Sequence, residues 1–237
     1  MSTSGLPDND RTMTPRPDLT VVASAIGEPA RGKMLNALMD GRALTATELA
    51  LEAGVTPSTA SSHLEKLQQA GLIARTAQGR HRYFRIATVE IAEILESLML
   101  IATADRKTRS GARNEALRRA RVCYDHLAGE LGVRLLERMR ERQLVRGDDQ
   151  FLQLTAPGEK WATEFGIDLD GLRRKSRPLV RLCLDWSERR SHLSGALGAA
   201  ILERIFELRF ARRDSFSRAV LISSLGETFL ASLDARS

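Results

Sequence analysis

Residues 45–86 read TATELALEAGVTPSTASSHLEKLQQAGLIARTAQGRHRYFRI, and few folds accommodate such a run. Thr45 and Glu48 have the spacing of a capping box, in which each side chain satisfies a free amide at the start of a helix. A short helix therefore begins there and continues through Ala53. Gly54 turns the chain. Thr56-Pro57 opens a second helix, because Thr caps free amides and Pro suits the first helical position. This helix runs to about Gln69 and stops at Gly71. The pattern is helix, tight turn, helix. LIART then reads as a strand, AQGR as a turn containing Gly79, and HRYFRI as the returning strand.

Helical spacing sorts the faces of the second helix. Ala60, Leu64 and Leu67 form the buried stripe. Ser58, Ser62 and Lys66 lie opposite, flanked by Thr59 and Ser61. The four hydroxyl residues are poor helix formers, and that local cost points to function. A small, polar, acid-free face at the positive end of a helix can enter a DNA major groove. The hairpin carries Arg75, Arg80, His81, Arg82 and Arg85 with no acid, whereas an ordinary solvated hairpin mixes its charges. Such a hairpin is a wing that grips phosphates. The net charge of +6 agrees with a polyanionic partner. The candidate DNA contacts are Thr56, Ser58, Thr59, Ser61, Ser62, His63, Lys66, Arg75, Arg80, His81 and Arg82. His63 borders the apolar stripe, so it has the alternative role of supporting the helix.

Upstream, Asp18 can cap a helix carrying Leu19, Val22 and Ile26, and Pro29 opens another carrying Leu35, Leu38 and Met39. Asp40-Gly41 ends it. ELALEAGVTPSTASSHLEKLQQAGLIARTAQGRHRYFRI, preceded by IGEPARGKMLNALMDGRALTATELA, resembles the helix-turn-helix and wing of ArsR-type bacterial regulators over about residues 18–103. The resemblance implies a winged-helix homodimer, a repressor that leaves its operator when an inducer binds. It also puts Ser58, Thr59, Ser62 and His63 at groove-reading positions. Two departures matter. The family's thiolate metal motif would fall at Ala50, Leu51 and Glu52, where there is no Cys. Its other common metal site would use the helix after the wing, TVEIAEILESLMLIAT, which has Glu90, Glu93 and Glu96 but no His. That helix leaves only a narrow polar stripe, as a dimer helix does.

Beyond a polar connector, ADRKTRSGARN, the chain repeats itself. Residues 126–148 match residues 192–214 at eleven of twenty-three positions, where chance predicts about one or two. This is an internal duplication, with repeats at about 112–170 and 176–237. RLLERMRERQLVR resembles LEKLQQAGLIAR, HLAGELGV resembles ELALEAGV, and FLQLT reads as a wing strand. Each repeat is therefore expected to be a shortened winged helix without the groove-reading segment TPSTASSH. Arg113, Arg118, Arg119 and Arg121 form a basic helical run that either touches phosphates or is simply solvated. Trp161 and Trp186 are candidates for a small-molecule pocket or for core.

The repeats share the word C-x-D-H, interrupted in the second copy by WSERRS. At i, i+3, Cys123 and His126 would neighbour each other on one helix face. Cys123, His126, Cys183 and His192 could close a tetrahedral zinc site if the repeats face each other, with Asp125 and Asp185 orienting the imidazoles. Thiol redox sensing and plain structural packing are the alternatives. No G-x-S-x-G, H-E-x-x-H, P-loop or G-x-G-x-x-G pattern occurs, so no enzyme is expected and no other cofactor is implied. Two cysteines and no signal peptide imply the cytoplasm. The expected architecture is mainly α with small antiparallel β wings. A tail at 1–17 precedes a winged helix-turn-helix domain at 18–103 and a duplicated, winged-helix-like sensing or packing half at 112–237. The expected function is a sequence-specific DNA-binding regulator, a homodimeric repressor released by an inducer. An interaction adaptor with a degenerate helix-turn-helix and a small zinc enzyme are the competing readings.

Overall fold

The computed structural model describes residues 19–78, 81–102, 112–148, 151–215 and 217–234. The expected tail, the cap at Asp18, the hairpin tip Gly79-Arg80 and most of the connector lie outside them. The first half contains α1 (Leu19–Ile26), α2 (Pro29–Leu38), β1 (Leu44–Thr45), α3 (Ala46–Ala53), α4 (Pro57–Gln69), β2 (Ile73–Gln78), β3 (His81–Ile86) and α5 (Val89–Ala102). Thr45 and Glu48 complete the capping box, and Gly54 adopts a left-handed conformation at the end of α3. β2 and β3 pair antiparallel, with Ile73 opposite Ile86 and Arg75 opposite Phe84. β1 adds a third strand by pairing Leu44 with Phe84. Such a two-residue strand has no periodicity to detect in sequence. The core of this half joins Met34, Leu35, Leu38, Leu49, Leu64, Leu67 and Ile86. Leu19 does not join it. Leu19 lies in the first turn of α1, less than about two turns before the buried Ala25, and stays 76% exposed.

The second half begins with α6 (Ala112–Arg119). It continues with β4 (Arg121–Cys123), β5 (His126–Ala128), α7 (Glu130–Glu141), β6 (Val145–Gly147), β7 (Leu152–Leu154), α8 (Ala156–Glu164) and α9 (Leu169–Arg173). Then come β8 (Arg181–Leu184), β9 (Ser191–Ser194), α10 (Gly195–Glu207), β10 (Ala211–Arg213), β11 (Val220–Ile222) and α11 (Ser224–Asp234). Hairpin, helix, hairpin, helix therefore occurs twice. Fine detail repeats too. Gly129 and Gly195 open α7 and α10 with φ of +82 each, and Gln143 and Arg209 end them with φ of +55 and +57. Thr155 and Ser223 reach back with their hydroxyls to the carbonyls of Leu144 and Phe210. One core unites the halves of this repeat, with Leu131, Leu136 and Met139 of α7 packed among Leu197, Ile201 and Ile205 of α10.

Three expectations need correction. Cys123 and His126 do not share a helix face; they are cross-strand partners in a tight hairpin. HLAGELGV is not a helix like α3. Its first three residues form β5, and Gly129, at φ +82 and ψ −170, breaks the chain before α7 starts. What each repeat keeps of a winged helix is the long helix, the wing-like hairpin and the helix after it. Arg121 does not continue a basic helix. It lies in β4 and is fully buried. Trp161 stacks on Phe165, and Trp186 lies under the Arg121 guanidinium at 4.5 Å. Among the described residues no helix is long and apolar enough to cross a membrane.

The two halves are bolted together at Gly41. The Tyr124 amide donates to the Met39 carbonyl at 2.6 Å. Gly41 has φ +75, and a Cβ there would sit 2.0 Å from the Tyr124 carbonyl oxygen. Gly41→Ala is therefore expected to combine left-handed strain with a backbone collision and to cost about 2–4 kcal/mol. A shift in the urea midpoint with unchanged slope would measure this. A loss below about 0.5 kcal/mol, the ordinary scatter of surface changes, would refute the close contact.

Candidate nucleic-acid interface and a buried Cys/His cluster

α4 presents one continuous polar face. Thr56 caps it by accepting the Thr59 amide at 3.3 Å, and its hydroxyl also bonds those of Ser58 and Thr59. Ser58, Thr59, Ser61, Ser62 and Lys66 are all exposed, while Ala60, Leu64 and Leu67 are buried beneath them. The Ser61 hydroxyl folds back onto the Pro57 carbonyl at 3.0 Å, so it is partly satisfied by its own helix. Ser62 and Lys66 remain available along the same face. No acid lies in the first turn of α4, so the positive end of the helix is not neutralised there.

His63 is placed differently. Its side chain is only 15% exposed, with Nδ1 3.3 Å from Arg31 and Nε2 3.7 Å from Glu28. Arg31 in turn donates to the carbonyls of Ser24 and Ala25. Glu28 accepts the amides of Arg31 and Ala30, which hold its carboxyl below the usual range. The cluster ties α4 to α1 and α2. Sequence reasoning missed Arg31 because a single Arg on a helix gives no periodic signal.

On the wing, Arg75 and Arg82 are exposed. Arg75 is opposite Phe84 and Arg82 is opposite Ala77, so both project from the same side of the hairpin. Arg85 is exposed on the other side, opposite Ala74. His81 contributes backbone to β3, and Arg80 lies outside the described residues. The expected hydroxyl face and two of the wing cations therefore lie on adjoining elements, with His63 set apart as a helix support.

α5 has two dissimilar faces. Ala92, Leu95 and Glu96 are buried against the rest of the chain. Ile94, Leu98 and Ile101 form an i, i+4, i+7 stripe that is 57%, 41% and 71% exposed. Glu93 pairs with Arg181 at 3.1 Å. Glu96 meets Arg121 at 3.5 Å and Arg218 at 3.7 Å. Two of the three acids of α5, Glu93 and Glu96, are thus engaged with arginines of the second half. The α3 positions of the usual thiolate site hold Ala50, Leu51 and Glu52, which offer no thiol. Neither arrangement fits the family's usual metal sites.

The Cys and His residues converge instead between the repeats. Cys123 lies opposite His126 on β4–β5, and Cys183 lies opposite His192 on β8–β9. The WSERRS insert lengthens the second hairpin loop without disturbing this pairing. The Cys123 and Cys183 sulfurs are 4.0 Å apart, and the His126 and His192 Nε2 atoms are 3.1 Å apart. One ligand atom from each of the four residues lies within 4.8 Å of all the others. All four are buried, the least so being Cys183 at 7%. His126 Nδ1 faces Asp125 at 3.1 Å, and His192 Nδ1 faces Asp185 at 3.8 Å. Asp185 accepts the Gly129 amide at 2.6 Å and pairs with Arg121 at 2.9 Å. The hydrogen bond to Cys183 and then burial push the Cys123 thiol well up. Burial, reinforced by His126, pushes His192 well down.

Residues 28–75 match the family model described as bacterial regulatory protein, arsR family. The chain is 38% identical to the uncharacterized HTH-type transcriptional regulator YdfF of Bacillus subtilis over 213 residues, 89% of this chain and 94% of that protein. It is 33% identical to the HTH-type transcriptional regulator CmtR of Mycobacterium tuberculosis over 86 residues, 36% of this chain and 72% of that protein. The NMR structure of the cadmium metal-sensor CMTR from the same organism is similar at 32% identity and a TM-score of 0.32. That likeness covers 40% of this chain and 98% of the other.

Proposed function

The chain belongs to the arsR family of bacterial regulatory proteins and is a DNA-binding transcriptional regulator; from that premise we propose that it is a homodimeric repressor whose N-terminal half reads the operator. In this reading residues 18–103 bind DNA and dimerise. Residues 112–237 are a duplicated half on which an inducer acts. The single observation that carries the reading is the acid-free hydroxyl face of α4 beside Arg75 and Arg82 on the wing. Ser58, Thr59 and Ser62 meet base edges in the major groove, and Thr56, Ser61, Lys66, Arg75 and Arg82 meet phosphates. On the sequence alone, Arg80, outside the described residues, and His81 are further candidates for phosphate contacts in this reading. His63 acts through Arg31 by holding α4 in place. The exposed stripe of Ile94, Leu98 and Ile101 supports dimerisation through α5, because three large apolar side chains in register gain by leaving water. The regulated genes lie with the operator, which the chain's own promoter is the first place to seek.

Two substitutions test the reading by differing in kind. Ser62→Ala is expected to weaken the operator more than random DNA, by about 1–3 kcal/mol of discrimination if it contacts a base edge. Arg82→Ala is expected to weaken both equally and to flatten the salt dependence by about one phosphate contact. Gel shifts on operator and scrambled duplexes at several salt concentrations separate the two. Equal, sequence-blind losses for both variants would remove base reading from Ser62.

A further inference from the structure

We propose that Cys123, His126, Cys183 and His192 hold one structural zinc-class divalent cation that staples the two C-terminal repeats together. The geometry is that of a closed four-ligand site. With Zn–S near 2.3 Å and Zn–N near 2.05 Å, a tetrahedron sets its sulfurs about 3.8 Å apart and its nitrogens about 3.3 Å apart. The observed separations are 4.0 Å and 3.1 Å. Sulfur and nitrogen donors from four protein side chains suit zinc and its soft neighbours, not magnesium or calcium.

The imidazole orientation adds a second argument. His126 Nδ1 lies within hydrogen-bond reach of Asp125 at 3.1 Å, whereas His192 Nδ1 faces Asp185 at 3.8 Å and makes no hydrogen bond. When both rings are neutral and carry their protons on Nδ1, the two Nε2 lone pairs point at each other across 3.1 Å in a dry interior; without a metal ion, a proton on one Nε2 takes that place as a hydrogen bond. A cation at that point removes the repulsion. Carboxylates behind metal-bound imidazoles are the usual means of fixing the ring and its tautomer. Coordination releases the two thiol protons to solvent, so two thiolates balance a dication and the buried site is neutral.

The site is also built by the symmetry of the repeat. A Cβ at Gly132 of α7 would lie 3.6 Å from His192 Cβ, and one at Gly198 of α10 would lie 3.4 Å from His126 Cβ. Each long helix thus packs over the other repeat's histidine. Each Cys/His pair is supplied by a two-strand hairpin, and neither hairpin alone offers more than two ligands. The ion therefore needs both repeats, and it closes a long loop between them. Complete burial with four protein ligands marks a structural ion and leaves no open position for catalysis.

The test uses the full-length protein, purified under reducing conditions. Elemental analysis should find about one zinc per chain. Cobalt replacement should produce the intense visible bands of a tetrahedral ion and a thiolate-to-cobalt charge-transfer band in the near ultraviolet. Chelator-stripped protein should melt about 10 °C lower and recover on adding zinc, as expected when a ligand at many times its Kd stabilises a domain of this size. Cys183→Ser and His192→Gln should reduce bound zinc at least about tenfold. Because those variants could fail to fold, Asp125→Asn is the companion; it keeps all four ligands and should weaken zinc about 10-fold in competition with a chromophoric chelator. Absence of stoichiometric zinc, a cobalt spectrum without the charge-transfer band, or unchanged melting after metal removal would overturn the proposal. So would a Cys123–Cys183 disulfide in the reduced preparation. None of these readouts involves DNA, so failure of the staple and failure of the operator-reading model are separate results.

Discussion

Arg121→Ala is expected to destabilise the protein by about 3–5 kcal/mol, the cost of breaking a buried ion network from one side. Arg121 is fully buried in β4, between Asp185 at 2.9 Å and Glu96 at 3.5 Å. Its Nη1 donates to the Ser187 hydroxyl at 3.0 Å and the Leu117 carbonyl at 3.2 Å. The planar fork serves α5, α6 and the second hairpin loop at once and lies against Trp186. Truncation leaves two carboxylates in the interior, with only Arg218 near Glu96. Arg121→Lys is expected to recover little, because one ammonium cannot bridge partners in this arrangement. Glu96→Gln should be milder, because Arg121 retains Asp185. Urea unfolding of the three variants ranks them. A loss under about 1 kcal/mol for Arg121→Ala, the value of an exposed pair, would mean that water reaches the network.

Operator affinity is expected to fall about 1,000- to 16,000-fold between 50 and 200 mM monovalent salt, as a slope of roughly −5 to −7 requires. The estimate follows from charge placement. Lys66, Arg75 and Arg82 are exposed on α4 and the wing, and a dimer doubles them to about six to eight phosphate contacts with the wing tips included. Fluorescence anisotropy on a labelled duplex at four salt concentrations measures the slope. A slope near zero, or a stable monomer that binds equally well, would refute the paired-wing reading. The second half holds many arginines too, but several are already engaged. Arg121 is buried, Arg177 pairs with Asp125, and Arg181 pairs with Glu93. They therefore add little to the count.

The helix-turn-helix was legible because its determinants are local. Thr45 and Glu48 are three residues apart, Thr56 caps the amide of Thr59, and Ala60, Leu64 and Leu67 recur at the helical period. Energies that act within a turn of helix leave their mark in a short window of sequence. The repeat was legible for a different reason: copies can be aligned without knowing their shape. The local structure of the Cys/His word was not. Cys123 and His126 three residues apart are neighbours on a helix and also across a two-residue turn, so spacing alone does not separate the two. The positive φ of Gly129 and the burial of β5 against α10 decided for the hairpin.

By itself, then, the sequence determined where helices begin, which face of α4 is apolar, the sign of the wing and the existence of two related units. Only the tertiary structure decided what those units do to one another. It brought Cys123 to Cys183 and His126 to His192. It turned Arg121 from an apparent surface charge into a buried link between Glu96 and Asp185. It drew His63 away from the exposed face by way of Arg31, and it made Gly41 the contact with Tyr124. Each of these pairs joins residues distant along the chain. For the Cys/His cluster that proximity depends on how α7 and α10 cross over each other's hairpins, and no local propensity encodes that crossing.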